Sequence, residues 1–155
     1  GKDFEENAIL KAKNAFIKTN ISSVGDDSGL IVPAINNEPG LYSARYAGLN
    51  ATDSDNRNKL ISKLKDNKLE STYAYFFCCI VAVGIKGQNE IIVCDGKVEG
   101  EVRTIERGEK GFGYDPMFYP KGYSESFAEL NSLEKNKISH RGQALKKLMD
   151  KLNKT

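Results

Sequence analysis

Paired thiols, long apolar runs and an excess of charge of one sign are all missing from this chain of 155 residues. Its cysteines number three, an odd count, with Cys78 and Cys79 adjacent and no Cys-x-x-Cys spacing, which argues against a zinc site built on thiolates. What remains for them is the reading of reduced, buried cysteines in strands of a cytosolic protein. The longest apolar run, Tyr73 to Val83, falls well below the about 20 residues that span a bilayer. The opening segment is charged and holds no secretory apolar region, so the expected location is the cytoplasm, with no membrane partner. Lys and Arg total 23 against 21 Asp and Glu, a net charge of +2, which excludes a strongly basic nucleic-acid binder on charge alone. That balance leaves room for a small basic pocket for one phosphorylated ligand. Neither a Gly-x-Gly-x-x-Gly turn nor a Walker-type loop occurs, and no internal repeat is found.

What is there is enough for one domain, at roughly 150 residues per domain. Hydrophobic residues make up 39% and charged residues 28%, a balance that builds a core rather than a disordered chain. Asp3 and Glu6 have the spacing of a capping box, and Ala8, Ile9, Ala12, Ala15 and Phe16 recur at helical spacing, which predicts a helix over 4–18. Ile21 to Asp26 and Leu30 to Val32 read as two short strands, joined by a turn at Asp27-Ser28-Gly29. Residues 36–40 read as a loop, and 40–48 as an irregular, ligand-facing one. A second helix is capped by Ser54 or Thr52 and buries Leu60, Ile61 and Leu64. A long strand over 72–85, buried on both faces, returns through a hairpin at Gly87-Gln88-Asn89 to Ile91, Ile92 and Val93. Asp95-Gly96 reads as another turn, before Val98, Gly100 and Val102 alternate as a strand. Residues 107–126 form a loop system, and Ser139 caps a last helix with Leu145, Leu148, Met149 and Leu152 as its stripe. The fold class is therefore mixed α/β, with part of the sheet antiparallel.

Four constellations carry chemistry. Asp26-Asp27-Ser28-Gly29 offers two carboxylates that point to opposite faces of a strand. On spacing alone they read first as an ordinary Asx turn, and otherwise as a Mg²⁺ ligand or a general base for water. Arg45 lies between Tyr42 and Tyr46 and reads as a phosphate fork or as a surface Arg packed on aromatics. Gly111-Phe112-Gly113-Tyr114-Asp115 reads as an aromatic face and a carboxylate for a flat base, or as a tight turn on core aromatics. Lys135, Ser139, His140 (the single histidine) and Arg141 group donors near a helix start, where backbone N–H groups favour anions; a lone His is also a common structural residue.

The order "DDSGL", "PGLYSARYAG", "RGEKGFGYDPMFYP", "FAEL", "EKNKISHRGQAL", opened by the helix "FEENAILKAK", resembles the inosine/xanthosine triphosphate pyrophosphatase family across essentially the whole chain. The resemblance implies an elongated central mixed sheet flanked by helices, two lobes with a cleft between them, Mg²⁺ dependence and a homodimer. It implies hydrolysis of non-standard purine nucleoside triphosphates (ITP, dITP, XTP) between the α and β phosphates, giving a monophosphate and pyrophosphate. Carried over by motif position, Asp27 is the metal-linked carboxylate or base, with Asp26 its weaker neighbour and Ser28 beside them. Lys11 and Arg45 become phosphate-side contacts, and Phe112 the stacking partner of the purine. Gly113, Tyr114 and Asp115 line the base pocket, with Asp115 accepting from the base. Lys135, Ser139, His140 and Arg141 complete the base site.

One departure stands at the start. Family members open with a strand, a Ser/Thr-x-Asn-x-x-Lys phosphate turn and an acidic residue ahead of the first helix, and none of these precedes Gly1 here. The resemblance minus that segment implies weak Mg²⁺-triphosphate binding and slow turnover by these residues alone. Two rival classes follow: a purine-nucleotide-binding module without catalysis, and a single-stranded nucleic-acid binder on the Tyr and Phe residues, which the near-neutral charge disfavours.

Overall fold

The Asp3 carboxylate accepts the Glu6 N–H at 2.7 Å and opens α1 (Phe4–Thr19), which ends where Asn20 turns left-handed. The computed structural model describes residues 1–85, 87 and 90–154. The remaining elements are β1 (Ser23–Val32), β2 (Glu38–Pro39), α2 (Asp53–Asp66), β3 (Ser71–Val83), β4 (Ile91–Arg103), β5 (Phe118–Pro120), α3 (Ser132–Ile138) and α4 (His140–Asn153). Five strands form one sheet in the order β2-β1-β3-β4-β5. β2 runs antiparallel to β1, with Ile31 opposite Pro39, and β5 antiparallel to β4, with Glu101 opposite Tyr119. The mixed α/β class expected from the sequence is what the structure shows.

The chain divides into two compact units. The first comprises residues 1–28, 77–97 and 139–155; the second comprises 29–76 and 98–138. In the first unit, Ala8 and Ala12 of α1 pack on Cys79, Val81 and Val83, with Ile9 and Phe16 alongside. A separate cluster sets Ala144 and Leu148 of α4 against Cys78, Ile80, Ile92 and Cys94. Small residues carry both helix contacts because the helices lie close to the strands. A Cβ on Gly25 of β1 would stand 2.7 Å from the Ala12 nitrogen and the Ala8 carbonyl oxygen. The second unit holds the larger core. Leu60 and Leu64 of α2 join Leu30, Val32 and Ile35, and Phe76, Phe118 and Phe127 pack with ring centroids 4.7–6.0 Å apart.

Several expectations need correction. Asp27-Ser28-Gly29 is not a turn, since β1 runs unbroken from Ser23 to Val32. Likewise β4 runs through Asp95-Gly96, where the glycine answers to a close neighbour rather than to a bend. Residues 40–45 form a 3-10 helix instead of an irregular loop, and 38–39 form a short strand. Helix α3 has no counterpart in the sequence reading, and 115–120 contribute a 3-10 turn and β5 to the expected loop system. The stripe of α4 is Ala144, Leu148 and Leu152, while Leu145 and Met149 are exposed. Of the hairpin expected at Gly87-Gln88-Asn89, Gln88 and Asn89 lie outside the described residues. Thr52, rather than Ser54, caps α2 in a reciprocal box with Asp55.

Cys78, Cys79 and Cys94 are free and buried, as expected. Burial, reinforced by the Asp26 charge, pushes the Cys78 thiol up to about 12; burial pushes Cys79 up to about 11. A thiol whose folded pKa is raised binds its proton longer in the folded state than in the unfolded one. That contribution to stability is complete below the unfolded value of about 8.5 and is lost as pH rises toward the folded values. At pH 8 a maleimide should therefore leave Cys78 and Cys79 unmodified until denaturant is added. Stoichiometric labelling of these two in the folded protein would contradict their burial.

Candidate functional site

In the first unit, β1 presents Asp26 and Asp27 on alternate sides, as strand geometry requires. Gly25 admits α1 close to β1, and two residues one helical turn apart on α1 reach Asp27. Asn7 Nδ2 donates to Asp27 Oδ2 at 3.0 Å, and Lys11 Nζ donates to Asp27 Oδ1 at 2.7 Å. The same ammonium donates to the Asp26 carbonyl oxygen at 2.8 Å. Both Asp27 oxygens thus have a fixed donor, which sets the orientation of the carboxylate. The Asp26 side chain belongs to Arg141, whose Nε and Nη2 both donate to Asp26 Oδ2, at 3.1 and 2.7 Å. Arg141 Nη2 also lies 3.3 Å from Ser28 Oγ. Ser139 Oγ accepts the Gly142 N–H at 3.0 Å and is buried as the cap of α4, with His140 buried next to it.

In the second unit, Phe112, Asp115 and Lys135 come together. Lys135 Nζ donates to Asp115 Oδ2 at 2.5 Å and stands 4.7 Å from the centroid of the Phe112 ring. The carboxylate is 3% exposed as a residue, while Phe112 is 60% exposed, so a charged and satisfied floor carries an open aromatic face. Asp115 Oδ2 also accepts the Phe112 N–H at 2.9 Å. Gly111 makes this approach possible: it has φ +76°, and a Cβ there would sit 2.1 Å from Asp115 Oδ2. Tyr114 is buried and donates to the Ser43 carbonyl oxygen at 2.7 Å, and burial raises its pKa. Arg45 packs its guanidinium 5.3 Å from the Tyr42 ring.

The sequence reading missed three residues that hold these groups. Asn7 grips Asp27; its spacing to Lys11 was visible, but its partner strand was not. Asp53 Oδ2 accepts the Gly113 N–H at 2.7 Å, and Arg57 Nη1 donates to the Gly113 carbonyl oxygen at 2.8 Å. An acid at the first turn of a helix is already accounted for by the macrodipole, so Asp53 gave no separate signal.

For Mg²⁺, the donor chemistry decides the fit. Among the described residues no group of three or more His, Cys, Asp or Glu side chains gathers to cage an ion. Mg²⁺ does not require such a cage, because it is usually held by one or two carboxylates with substrate phosphates and water. Asp27 fits that partial role, whereas the Asp26 side chain is committed to Arg141.

A mixed α/β chain with an oriented carboxylate on one strand and an aromatic ring, a carboxylate and an ammonium brought together from a loop and α3 has the parts of a nucleotide hydrolase. The chain belongs to the Ham1 family, which matches residues 1–151. It is 47% identical over 154 residues to a dITP/XTP pyrophosphatase of Idiomarina loihiensis, covering 99% of this chain and 76% of that relative. A dITP/XTP pyrophosphatase of Bacillus anthracis is 45% identical over 152 residues, covering 98% of this chain and 75% of the relative. Among solved structures, a HAM1 protein from Coxiella burnetii superposes with a TM-score of 0.93 at 42% identity, covering all of this chain and 79% of that one. No helix among the described residues is long and apolar enough to cross a membrane.

Proposed function

We propose that the chain is a nucleoside triphosphate pyrophosphohydrolase that converts ITP, dITP and XTP to the monophosphate and pyrophosphate. The observation that carries this reading is the Asp27 carboxylate held at both oxygens by Asn7 and Lys11. The names of the two curated relatives support the substrate class. Attack of water on the α-phosphorus needs a group that takes a proton and cations that offset the charge of the departing pyrophosphate. Asp27 takes the first role, oriented so that its lone pairs meet the water at a fixed angle. Lys11 and Arg45 supply positive charge for the phosphate chain. Mg²⁺, held through Asp27, would add Lewis-acid neutralisation of phosphate oxygens.

Base selection falls to the second unit's group. Phe112 stacks on the purine, Asp115 accepts a ring N–H, and the Lys135 ammonium donates to the 6-oxygen of hypoxanthine or xanthine. Adenine carries an amino group at that position and would set a donor against the ammonium, a mismatch that discriminates strongly. Ser139, His140 and Arg141 keep base-site roles on their motif positions alone. The homodimer, the Mg²⁺ requirement and a cytoplasmic location are part of the same proposal. Its test is pyrophosphate release with Mg²⁺ from the triphosphates of inosine, xanthosine, guanosine and adenosine. Inosine and xanthosine triphosphates should exceed adenosine triphosphate by at least roughly 100-fold in kcat/KM. Release from none of them, or equal release from adenosine triphosphate, would overturn the reading.

A further inference from the structure

Phe112 is an open aromatic ring on a backbone that does not give. The three consecutive peptide units around it are each hydrogen-bonded. The Phe112 N–H donates to Asp115 Oδ2 at 2.9 Å, and the Phe112 carbonyl oxygen accepts the Asp115 N–H at 3.1 Å. The Gly113 N–H donates to Asp53 at 2.7 Å, and the Gly113 carbonyl oxygen accepts from Arg57 at 2.8 Å. Asp53 and Arg57 lie one turn apart on α2, so a single rigid helix face holds both peptides that flank Gly113. Arg57 is itself fixed, with its side chain 17% exposed and its Nε paired to the Glu106 carboxylate. Gly113 supplies the backbone that lets both bonds form, at φ +59°, with open space around its missing Cβ. Conformation, not crowding, thus requires the glycine.

We propose that Asp53 and Arg57 are positioning residues for base recognition: they hold the Gly113 peptides and thereby fix the backbone from which the Phe112 ring projects before the purine arrives. The inference rests on the assignment of Phe112 as the stacking partner in the proposed function. Its physical content is preorganisation. A ring on a loose loop must be ordered at the moment of binding, and that cost weakens affinity; a ring on a pinned backbone avoids it. The helix contributes nothing to the reacting phosphorus, so its loss should appear in KM rather than in kcat.

The experiment is steady-state pyrophosphate release from inosine triphosphate by the wild type, Asp53→Ala, Asp53→Asn, Arg57→Lys, Phe112→Ala and the Asp53→Ala/Phe112→Ala double variant, with thermal melts of each. Asp53→Ala should raise KM roughly five- to tenfold with kcat within about twofold, the size expected for the net contribution of one hydrogen bond. Asp53→Asn keeps an acceptor for the Gly113 N–H and should recover most of that loss. Arg57 meets Glu106 with Nε and Gly113 with Nη1, and a lysine has one nitrogen in place of that fork, so Arg57→Lys should fall in between. The double variant should show no higher KM than Phe112→Ala alone, because without the ring there is nothing to position. If the wild type releases no pyrophosphate from any purine triphosphate, the proposed function fails and this inference with it. If the wild type is active but Asp53→Ala leaves KM unchanged, or the two substitutions multiply, the positioning role alone is overturned. Should Asp53→Ala melt too low to assay, Asp53→Asn and Arg57→Lys decide the matter. An Asn variant much worse than the Lys variant contradicts the acceptor role.

Discussion

Asp27→Asn should lower pyrophosphate release by roughly 10³-fold while leaving the melting temperature nearly unchanged. The side chains have the same shape, so Asn7 and the strand lose no packing. The lost ion pair with Lys11 is a surface one, and pairs of that kind contribute about 0–1 kcal/mol. What disappears is the charge. An amide does not take a proton from water and is a neutral, weaker ligand for a divalent cation, and a positioned general base alone accounts for about 10²–10⁴ in rate. The measurement is the initial rate of pyrophosphate release from inosine triphosphate at saturating Mg²⁺, with a thermal melt of the same preparation. A variant that keeps more than a tenth of the wild-type rate removes Asp27 from the base and metal roles. The neighbouring carboxylate offers the contrast. Asp26 accepts from two Arg141 nitrogens in a half-exposed pair, so its loss should release the Arg141 side chain before it disturbs any chemistry.

Gly96→Ala should unseat α4 from β4. A Cβ on Gly96 would lie 1.9 Å from the His140 carbonyl oxygen and 2.9 Å from the Ala144 nitrogen. Both are backbone atoms of α4, so no rotamer change relieves the overlap, and the first turn must move away from β4. Overpacking of this kind costs about 3 kcal/mol, which for a domain of this size lowers Tm by roughly 6–12 °C. The displaced turn carries Ser139, His140 and Arg141, so KM for inosine triphosphate should rise as well. Differential scanning calorimetry and the same rate assay test both parts. An unchanged Tm would mean that α4 does not sit on the glycine.

Asp95-Gly96 also shows why some of the fold could not be read along the chain. Asp and Gly favour turns, and the local reading followed that preference at 95–96 and again at Asp27-Ser28-Gly29. In both places a strand passes straight through, because sheet pairing and a helix pressed against the strand outweigh local preference. Gly25 and Gly96 serve closeness, each sparing a Cβ where a helix backbone arrives. The stripe of α4 was misassigned for the same reason. Leu145 and Met149 are the larger apolar residues, but the contact with β4 is too tight for them and selects Ala144.

Features that depend on a few neighbouring residues were legible from the start. Asp3 and Ser139 cap their helices, Thr52 is one of the two caps the sequence offers for α2, and Ala8, Ala12, Leu60 and Leu64 bury the faces their spacing predicts. The adjacent cysteines are buried and free, and the ordered motifs already pointed to the family that the comparisons establish. Propensity, capping and helical period act over one or two turns, and sequence spacing encodes them directly. Asn7 on Asp27 and Asp53 on Gly113 join residues 20 and 60 positions apart. Such pairs follow from strand order and from how closely each helix packs, and no local rule specifies either. The chemical groups of the candidate site are therefore written in its motifs, while the residues that hold those groups in place were settled only when distant segments packed together.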